Sequence, residues 1–396
     1  MNIAIFADAY LPVKNGVVTS ISQLRDGLEK KGHKVMIITV EVPNYIENDN
    51  NIYRLPSIKA GLGTEQPFRL GFFLWGPVIR FLKKKDVDII HTHSEFTLGL
   101  TGKTAAKKLK VPHIHTMHTM WEEYSHYILN GKLLTSGMIR RILKSFMKNA
   151  AVIVAPSIKA KNYCRKILPD IPVKVIHNGI DEYKFKSSVI RKNEIDSLRR
   201  EFGIKTTDKL MIFVGRMGRE KRVIELFDAI VPVIKSRPDV KMIYVGDGPQ
   251  LKDLIKKAAE LKMDKDFIFT GFVNWELVYR LYSIANIFVT ASLSEVHPMT
   301  LIEATMCGLS VVARRDDSNG DMVFNDRNGY LVESESEMTE KLVKMINDNS
   351  MLQNFSHESL LISKNFTAET HVENMERLYK RVIELYPDMT PDLDTE

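Results

Sequence analysis

Short apolar runs alternate with amphipathic stretches along the first half of the chain. Residues 3–6 read as a buried strand. Residues 19–31 read as a helix with Ile21, Leu24 and Leu28 at helical spacing, ended by Gly32, and 34–40 as the next strand. Residues 87–91 and 113–117 read as further strands around a Lys-rich helix at 102–109, and 151–155 and 173–176 close the set. Strand, helix, strand in repetition implies parallel strands with right-handed crossovers. The pattern breaks over 178–200, a polar stretch without a clear apolar period, which reads as a linker. A second alternation follows: strands at 209–214, 240–245, 267–270, 287–290 and 310–313, and helices starting near Arg222, Gln250, Glu276 and Pro298. Residues 367–386 carry a helical pattern, and the polar, acidic stretch from Pro387 reads as a frayed tail.

The chain is thus expected to be α/β, with two Rossmann-like doubly wound domains. The expected division is 1–185, 186–368, and a C-terminal helix and tail at 369–396. Ligands of such sheets bind at the carboxyl ends of the strands. The 396 residues suit two domains better than one core. Hydrophobic content of 44% and charged content of 27% are those of a soluble globular protein. The N-terminus runs into a strand pattern with no basic segment and apolar run ahead of it, so no signal peptide is expected. No stretch has the roughly 20 apolar residues of a membrane-spanning helix. Cys164 and Cys307 are far apart, which suggests a reducing compartment without a disulfide framework.

Net charge adds a functional hint. Through Phe185 there are 27 basic and 15 acidic side chains, a balance of +12, against 29 and 34 in the remainder, a balance of −5. Such asymmetry suggests that the first half faces a polyanion (nucleic acid, an anionic membrane or an anionic substrate) or is a merely solvated basic face.

Candidate chemistry concentrates where strands end. The strand at 209–214 leads into Gly215, with Arg216 and Lys221 on the following loop. A planar guanidinium and a compact ammonium suit a diphosphate, although surface cations near a turn are commonly just solvated, and the spacing fits no Walker loop. Gly246-Asp247-Gly248-Pro249 is a second strand-to-helix turn and reads mainly as structural, with Pro249 opening the helix. The sharpest segment is Glu295-Val296-His297-Pro298-Met299-Thr300-Leu301-Ile302-Glu303. Pro298 marks a helix start, so the amides of His297, Pro298's neighbours Met299 and Thr300 would meet a phosphate. Glu295 could accept hydrogen bonds from sugar hydroxyls. Glu303, inside an apolar helix, needs a partner, and a ribose diol would supply one; a helix cap and a core salt-bridge member are the structural alternatives. In the first domain, Gly16 and Val17 lie on the loop after the first strand, where glycine admits a ligand close to the backbone. His118 follows the strand at 113–117, and His91, His93 and Glu95 form another such edge, so each is either a sugar contact or a structural side chain. No cysteine partner or His-Glu-x-x-His accompanies them, and no metal is expected.

Together these residues resemble family-4 glycosyltransferases of the GT-B fold, over nearly the whole chain. The markers are Glu295 and Glu303, seven residues between them, and Gly215, Arg216 and Lys221. Where many members read Glu-Gly-Phe-Gly, this chain has Glu295-Val296-His297-Pro298. The resemblance implies two domains facing a central cleft, Arg216 and Lys221 on the donor diphosphate, Glu295 on the donor sugar, Glu303 on the ribose, the Gly16 loop against the diphosphate and His118 near the reacting centre. It further implies His118, Glu295, Arg216 and Lys221 as catalytic residues. Within the family, the runs 6–12, 16–20, 91–96 and 118–127 are most similar to bacterial 1,2-diacylglycerol 3-alpha-glucosyltransferases. That implies a UDP-sugar donor, a lipid acceptor and no required cofactor.

No carboxylate of the first domain is placed as a nucleophile, so same-face attack assisted by the leaving phosphate is the expected retaining route. The basic half then finds a use. Residues 75–85 include Trp75, Arg80, Lys83, Lys84 and Lys85, and 132–148 include Lys132, Arg140, Arg141, Lys144 and Lys148 among apolar residues. Basic amphipathic helices bind anionic bilayers, unless the apolar residues pack inward. The expectation is a peripheral enzyme on the cytoplasmic membrane face that binds no nucleic acid, since no nucleic-acid motif or aromatic stacking array is present. A soluble or polysaccharide acceptor, and more remotely a UDP-sugar epimerase, are the competing readings.

Overall fold

The structure is a computed structural model that describes residues 1–13, 15–60, 68–121, 136–185 and 191–386. Its contacts divide the chain into two units, Met1–Gly179 with Ala368–Glu396, and Ile180–Thr367.

Unit 1 begins with β1 (Asn2–Phe6), α1 (Gly16–Lys30), β2 (Lys34–Val40) and β3 (Ile52–Leu55). A hairpin, β4 (Ser57–Ala60) and β5 (Phe68–Gly71), precedes α2 (Trp75–Lys83). Then come β6 (Ile89–Thr92), α3 (Thr97–Leu109), β7 (His113–Thr116), α4 (Ser136–Met147), β8 (Val152–Ala155), α5 (Ile158–Ile167) and β9 (Val173–Val175). Seven parallel strands lie in the order β3-β2-β1-β6-β7-β8-β9, so the winding reverses between β1 and β6. The buried strands are near-continuous apolar runs, as strands covered on both faces must be.

Unit 2 opens with α6 (Lys192–Glu201), where the sequence reading expected a linker. The helix escapes a composition-based reading because it is highly charged. It is anchored by the partly buried Ile195 and Leu198 and by Arg199, whose guanidinium donates to the carbonyls of Lys205, Asp208 and Ile284. Ile180 and Phe185 also belong to the second core, which is why the unit boundary precedes them. The alternation continues through β10 (Lys209–Val214), α7 (Val223–Ser236), β11 (Val240–Val245), α8 (Leu251–Glu260), β12 (Phe267–Phe269), α9 (Trp275–Ile284), β13 (Ile287–Thr290), α10 (Met299–Met306), β14 (Ser310–Arg314) and β15 (Gly329–Val332). Gln250 is the residue that caps α8, so Pro249 stands ahead of the helix instead of opening it. Helices α11 (Glu335–Asn347) and α12 (Asn349–Ser363) complete the unit. Its six parallel strands run β12-β11-β10-β13-β14-β15, the same order of winding, with the reversal between β10 and β13.

Helix α13 (Ala368–Leu385) returns to unit 1. Val372, Met375, Leu378, Tyr379 and Val382 join the core beneath α1 and β1. The approach is close enough that a Cβ on Gly27 of α1 would overlap Val372.

Candidate active site

In unit 2 the site residues come from the two loops that flank the reversal of the sheet, the place where doubly wound folds hold ligands. The loop after β10 is shaped by glycine. Gly215 has φ of 156°, Gly246 after β11 has φ of 133°, and a Cβ on Gly246 would stand 2.0 Å from the Gly215 carbonyl oxygen. Two backbone hydrogen bonds, Gly215 N–H to Val245 O at 3.0 Å and Met217 N–H to Asp247 O at 2.9 Å, lock the loops together. Arg216 is exposed beside them and makes no side-chain hydrogen bond or ion pair among the described residues. Lys221, in the short turn ahead of α7, ion-pairs with Glu295 after β13. Glu295 also accepts from Ser292 Oγ at 3.2 Å, and Ser294 Oγ donates to Glu220 O at 3.1 Å. A cation and a carboxylate are thus brought together, half-buried, at the mouth of the sheet.

The helix following this loop is α10, capped by Pro298 without a side-chain bond. Leu301 and Ile302 N–H reach back to Pro298 O. The amides of Met299 and Thr300, which precede the first intrahelical donor, Leu301 N–H, therefore point out of the helix end. His297 lies before the helix and is buried, its ring 6.1 Å from that of Phe366.

Of the two readings open for Glu303, a ribose contact or a structural member of the core, the structure shows partners supplied by the chain itself. The carboxylate is buried, and the chain supplies two donors: Trp275 Nε1–H to Oε1 at 2.8 Å and the Tyr282 hydroxyl to Oε2 at 2.9 Å. Burial pushes its pKa up to about 7, opposed by those two hydrogen bonds. Trp275 and Tyr282 had no signal in the sequence, since they lie on a different helix, 28 and 21 positions away.

In unit 1 the same geometry recurs. Gly16 is the first residue of α1, exposed, with nothing within 4 Å of an added Cβ, and Val17 beside it is half-buried. Asn15 caps the helix by accepting from Val18 N–H at 2.9 Å. His93 and Glu95 follow β6, and His118 follows β7. His93 Nδ1 lies 2.8 Å from His118 Nε2. Glu95 is buried and held by Trp121 Nε1–H at 3.1 Å and by His115 at 3.3 Å. Burial drives the His118 pKa down to about 3, so the ring is neutral. Among the described residues no three His, Cys, Asp or Glu side chains gather into a possible metal site.

The basic elements are built differently from a free amphipathic helix. In α2 the apolar face, Val78, Ile79 and Leu82, packs into the unit 1 core. Arg80, Lys83 and Lys84 stay exposed, while Lys85 donates to Asn51 at 2.9 Å. The exposed apolar surface lies just ahead: Phe72, Phe73, Leu74 and Trp75 are 40–48% exposed. In α4, Ile139, Leu143 and Phe146 are buried, whereas Met138 and Ile142 are exposed beside Arg140, Arg141 and Lys144. Lys132 and the stretch 122–127 of the acceptor-like run lie outside the described residues. No described helix is long and apolar enough to cross a membrane.

Two doubly wound units, each presenting polar side chains at its reversal point, define a GT-B glycosyltransferase fold. The solved structure of Anabaena HepE in complex with UDP matches with a TM-score of 0.75 at 16% identity, covering 96% of this chain and 99% of that one. Sucrose-phosphate synthase from Thermosynechococcus elongatus matches with a TM-score of 0.74 at 19% identity, covering 97% and 99%. Residues 14–184 match the model of Glycosyltransferase Family 4, and 194–359 that of Glycosyl transferases group 1. An alpha-monoglucosyldiacylglycerol synthase of Acholeplasma laidlawii is 30% identical over 97% of this chain and 98% of its own length. One of Streptococcus pneumoniae is 32% identical over 87% and 78%. The chain belongs to glycosyltransferase family 4, and the protein is a glycosyltransferase.

Proposed function

We propose that the protein is a retaining hexosyltransferase that moves glucose from UDP-glucose to a diacylglycerol-type lipid at an anionic membrane surface. The observation that carries this reading is the Lys221–Glu295 pair beside exposed Arg216 and the α10 N-terminus, in a chain similar over nearly its whole length to two alpha-monoglucosyldiacylglycerol synthases. Arg216, Lys221 and the amides of Met299 and Thr300 meet the diphosphate. They stabilise the charge that builds on it as the glycosidic bond breaks. Glu295, Pro298 and His297 line the sugar side and Glu303 accepts from the ribose, while in unit 1 the open backbone at Gly16 and Val17 is available to a ligand. The acceptor hydroxyl attacks from the face the phosphate leaves, and its proton passes to the departing phosphate oxygen. The diphosphate charge is met by side chains and backbone, with no metal required.

Membrane attachment is peripheral and on the cytoplasmic face. The exposed run from Phe72 to Trp75 enters the interface, and Arg80, Lys83, Lys84, Arg140, Arg141 and Lys144 face anionic headgroups. This assigns the apolar contact to the loop before α2, since the helix face itself is occupied by the core. The test is incubation of the purified protein with a panel of UDP-sugars and diacylglycerol vesicles, with and without anionic lipid. Glucolipid formation that rises with anionic lipid and persists with a chelator supports the reading. Turnover with water-soluble acceptors alone overturns it.

A further inference from the structure

The hydrogen bonding behind His118 extends deep into unit 1. His91, fully buried at the end of β6, has both nitrogens engaged: Nε2 lies 2.7 Å from Thr116 Oγ1, and Nδ1 lies 2.7 Å from the hydroxyl of Tyr379 on α13. His91 Nδ1 also lies 3.2 Å from His93 Nε2, and His93 Nδ1 lies 2.8 Å from His118 Nε2. The three rings pack together, with centroids 4.0 Å apart for His91 and His93 and 5.1 Å apart, stacked, for His93 and His118. One line therefore runs from the C-terminal helix to the candidate active-site histidine.

The direction of that line follows from proton counting. A neutral imidazole has one N–H and one lone pair. Burial holds all three histidines neutral, His91 and His93 well below the usual range. Tyr379 is fully buried, and His91 is its one hydrogen-bond partner among the described residues. A buried hydroxyl hydrogen left without an acceptor is costly, so Tyr379 donates to His91 Nδ1. His91 is then protonated on Nε2 and donates to Thr116. His93 Nε2 lies 3.2 Å from His91 Nδ1, so a proton on His93 Nε2 shares that acceptor with Tyr379 and avoids two opposed lone pairs, which leaves Nδ1 of His93 as the acceptor for His118 Nε2–H. His118 Nδ1, which makes no hydrogen bond among the described residues, is left as a lone pair on a half-buried ring.

We infer that Tyr379 and His93 are positioning residues that hold His118 as its Nε2-protonated tautomer, so that Nδ1 presents an acceptor to a substrate hydroxyl. That the hydroxyl belongs to a substrate rests on the glycosyl transfer proposed above; the tautomer does not. Helix α13 thereby acts on the chemistry through a chain of side chains, in the way outer partners orient metal-binding imidazoles.

The experiment uses the full-length protein with 15N-labelled histidine, and reads imidazole tautomers by long-range 1H–15N NMR without substrate. Wild type is compared with Tyr379→Phe, His93→Leu and His93→Asn, and initial rates are measured with UDP-glucose and anionic diacylglycerol vesicles. The expected result is Nε2-protonated His118 in the wild type and a mixed tautomer in Tyr379→Phe. The kcat of Tyr379→Phe falls about ten- to a hundredfold, the range for loss of an outer partner, with a smaller change in KM. His93→Asn, whose Oδ1 can stand in for Nδ1, retains more activity than His93→Leu. An Nδ1-protonated His118 in the wild type overturns the inference, as does an unchanged tautomer in Tyr379→Phe. Tyr379→Phe keeps the ring volume, so it stays informative if His93→Leu does not fold. The tautomer reading decides the relay even if the wild type transfers no sugar to lipid, an outcome that overturns only the proposed acceptor.

Discussion

Lys221 and Glu295, 74 residues apart in the chain, form an ion pair that ties the turn after β10 to the loop after β13. Each of these side chains is about one-fifth exposed, at 20% and 23%. The pair therefore sits where a ligand can displace or share it, and each partner is held in place by the other. Removing one partner leaves the other aimed wrongly, so the two substitutions are coupled. Lys221→Ala and Glu295→Gln are each expected to lower kcat/KM strongly. The double variant is expected to lose far less than the product of the two single losses, because residues in direct contact are non-additive. A double-mutant cycle on initial rates measures this; additive losses would show that the pair does not act as a unit.

Glu303 predicts a pH dependence of the stability of unit 2. Its folded pKa is about 7, raised from 4.5 by burial. Between those values the folded state binds more protons than the unfolded chain, so stability falls as pH rises through that window and is highest below it. The slope from this one group is at most about 1.4 kcal/mol per pH unit. Glu303→Gln keeps an acceptor for Trp275 and lets Tyr282 turn to Thr300 O, 3.2 Å away. Denaturant unfolding followed by tryptophan fluorescence from pH 4.5 to 8 is expected to show a shallower dependence in Glu303→Gln than in the wild type.

Glycine substitutions separate fold from ligand. Gly246→Ala places a Cβ against the Gly215 carbonyl at a φ of 133°, so it is expected to lower Tm by several degrees and to disturb the neighbouring loop. Gly16→Ala meets open space at the first turn of α1, and is expected to leave Tm unchanged or slightly raised while the KM for the UDP-sugar rises. Unaltered kinetics in Gly16→Ala would show that no ligand approaches this backbone.

The surface around α2 makes a prediction for membrane binding. Each cation near an anionic bilayer contributes about 1 kcal/mol, so Lys83→Ala with Lys84→Ala is expected to weaken vesicle binding roughly thirtyfold at low salt. Phe73→Ser is expected to weaken it also on neutral vesicles, since Phe73 is half exposed and contributes little to the core. Lys85→Ala is expected to do less, because Lys85 is turned onto Asn51 and the Phe81 ring. Vesicle co-sedimentation distinguishes these outcomes; equal losses from Lys83 and Lys85 would argue against the assigned face.

Hydrophobic periodicity by itself determined much of this protein. Apolar runs such as Ile3–Phe6 and Ile287–Thr290 are buried on both faces, which is how parallel strands in doubly wound sheets announce themselves. The loop residues Gly215, Arg216, Lys221 and Glu295 were legible because strand ends and their first turns are local features. Tertiary structure alone decided the rest. Helix α6 was hidden because it is highly charged, and its anchoring by Ile195 and Leu198 and by Arg199, which donates to the Ile284 carbonyl 85 residues away, is set by tertiary packing. The partners of Glu303 and the Tyr379–His91 contact, 288 residues apart, carry no short-range pattern at all. Which face of α2 meets the core was also beyond the sequence, since an amphipathic pattern states that one face is apolar and not what covers it. Burial of Val78, Ile79 and Leu82 in one core with residues of β1, β2, β6 and α3 answered that, and leaves the exposed apolar surface at Phe72 and Phe73 ahead of the helix.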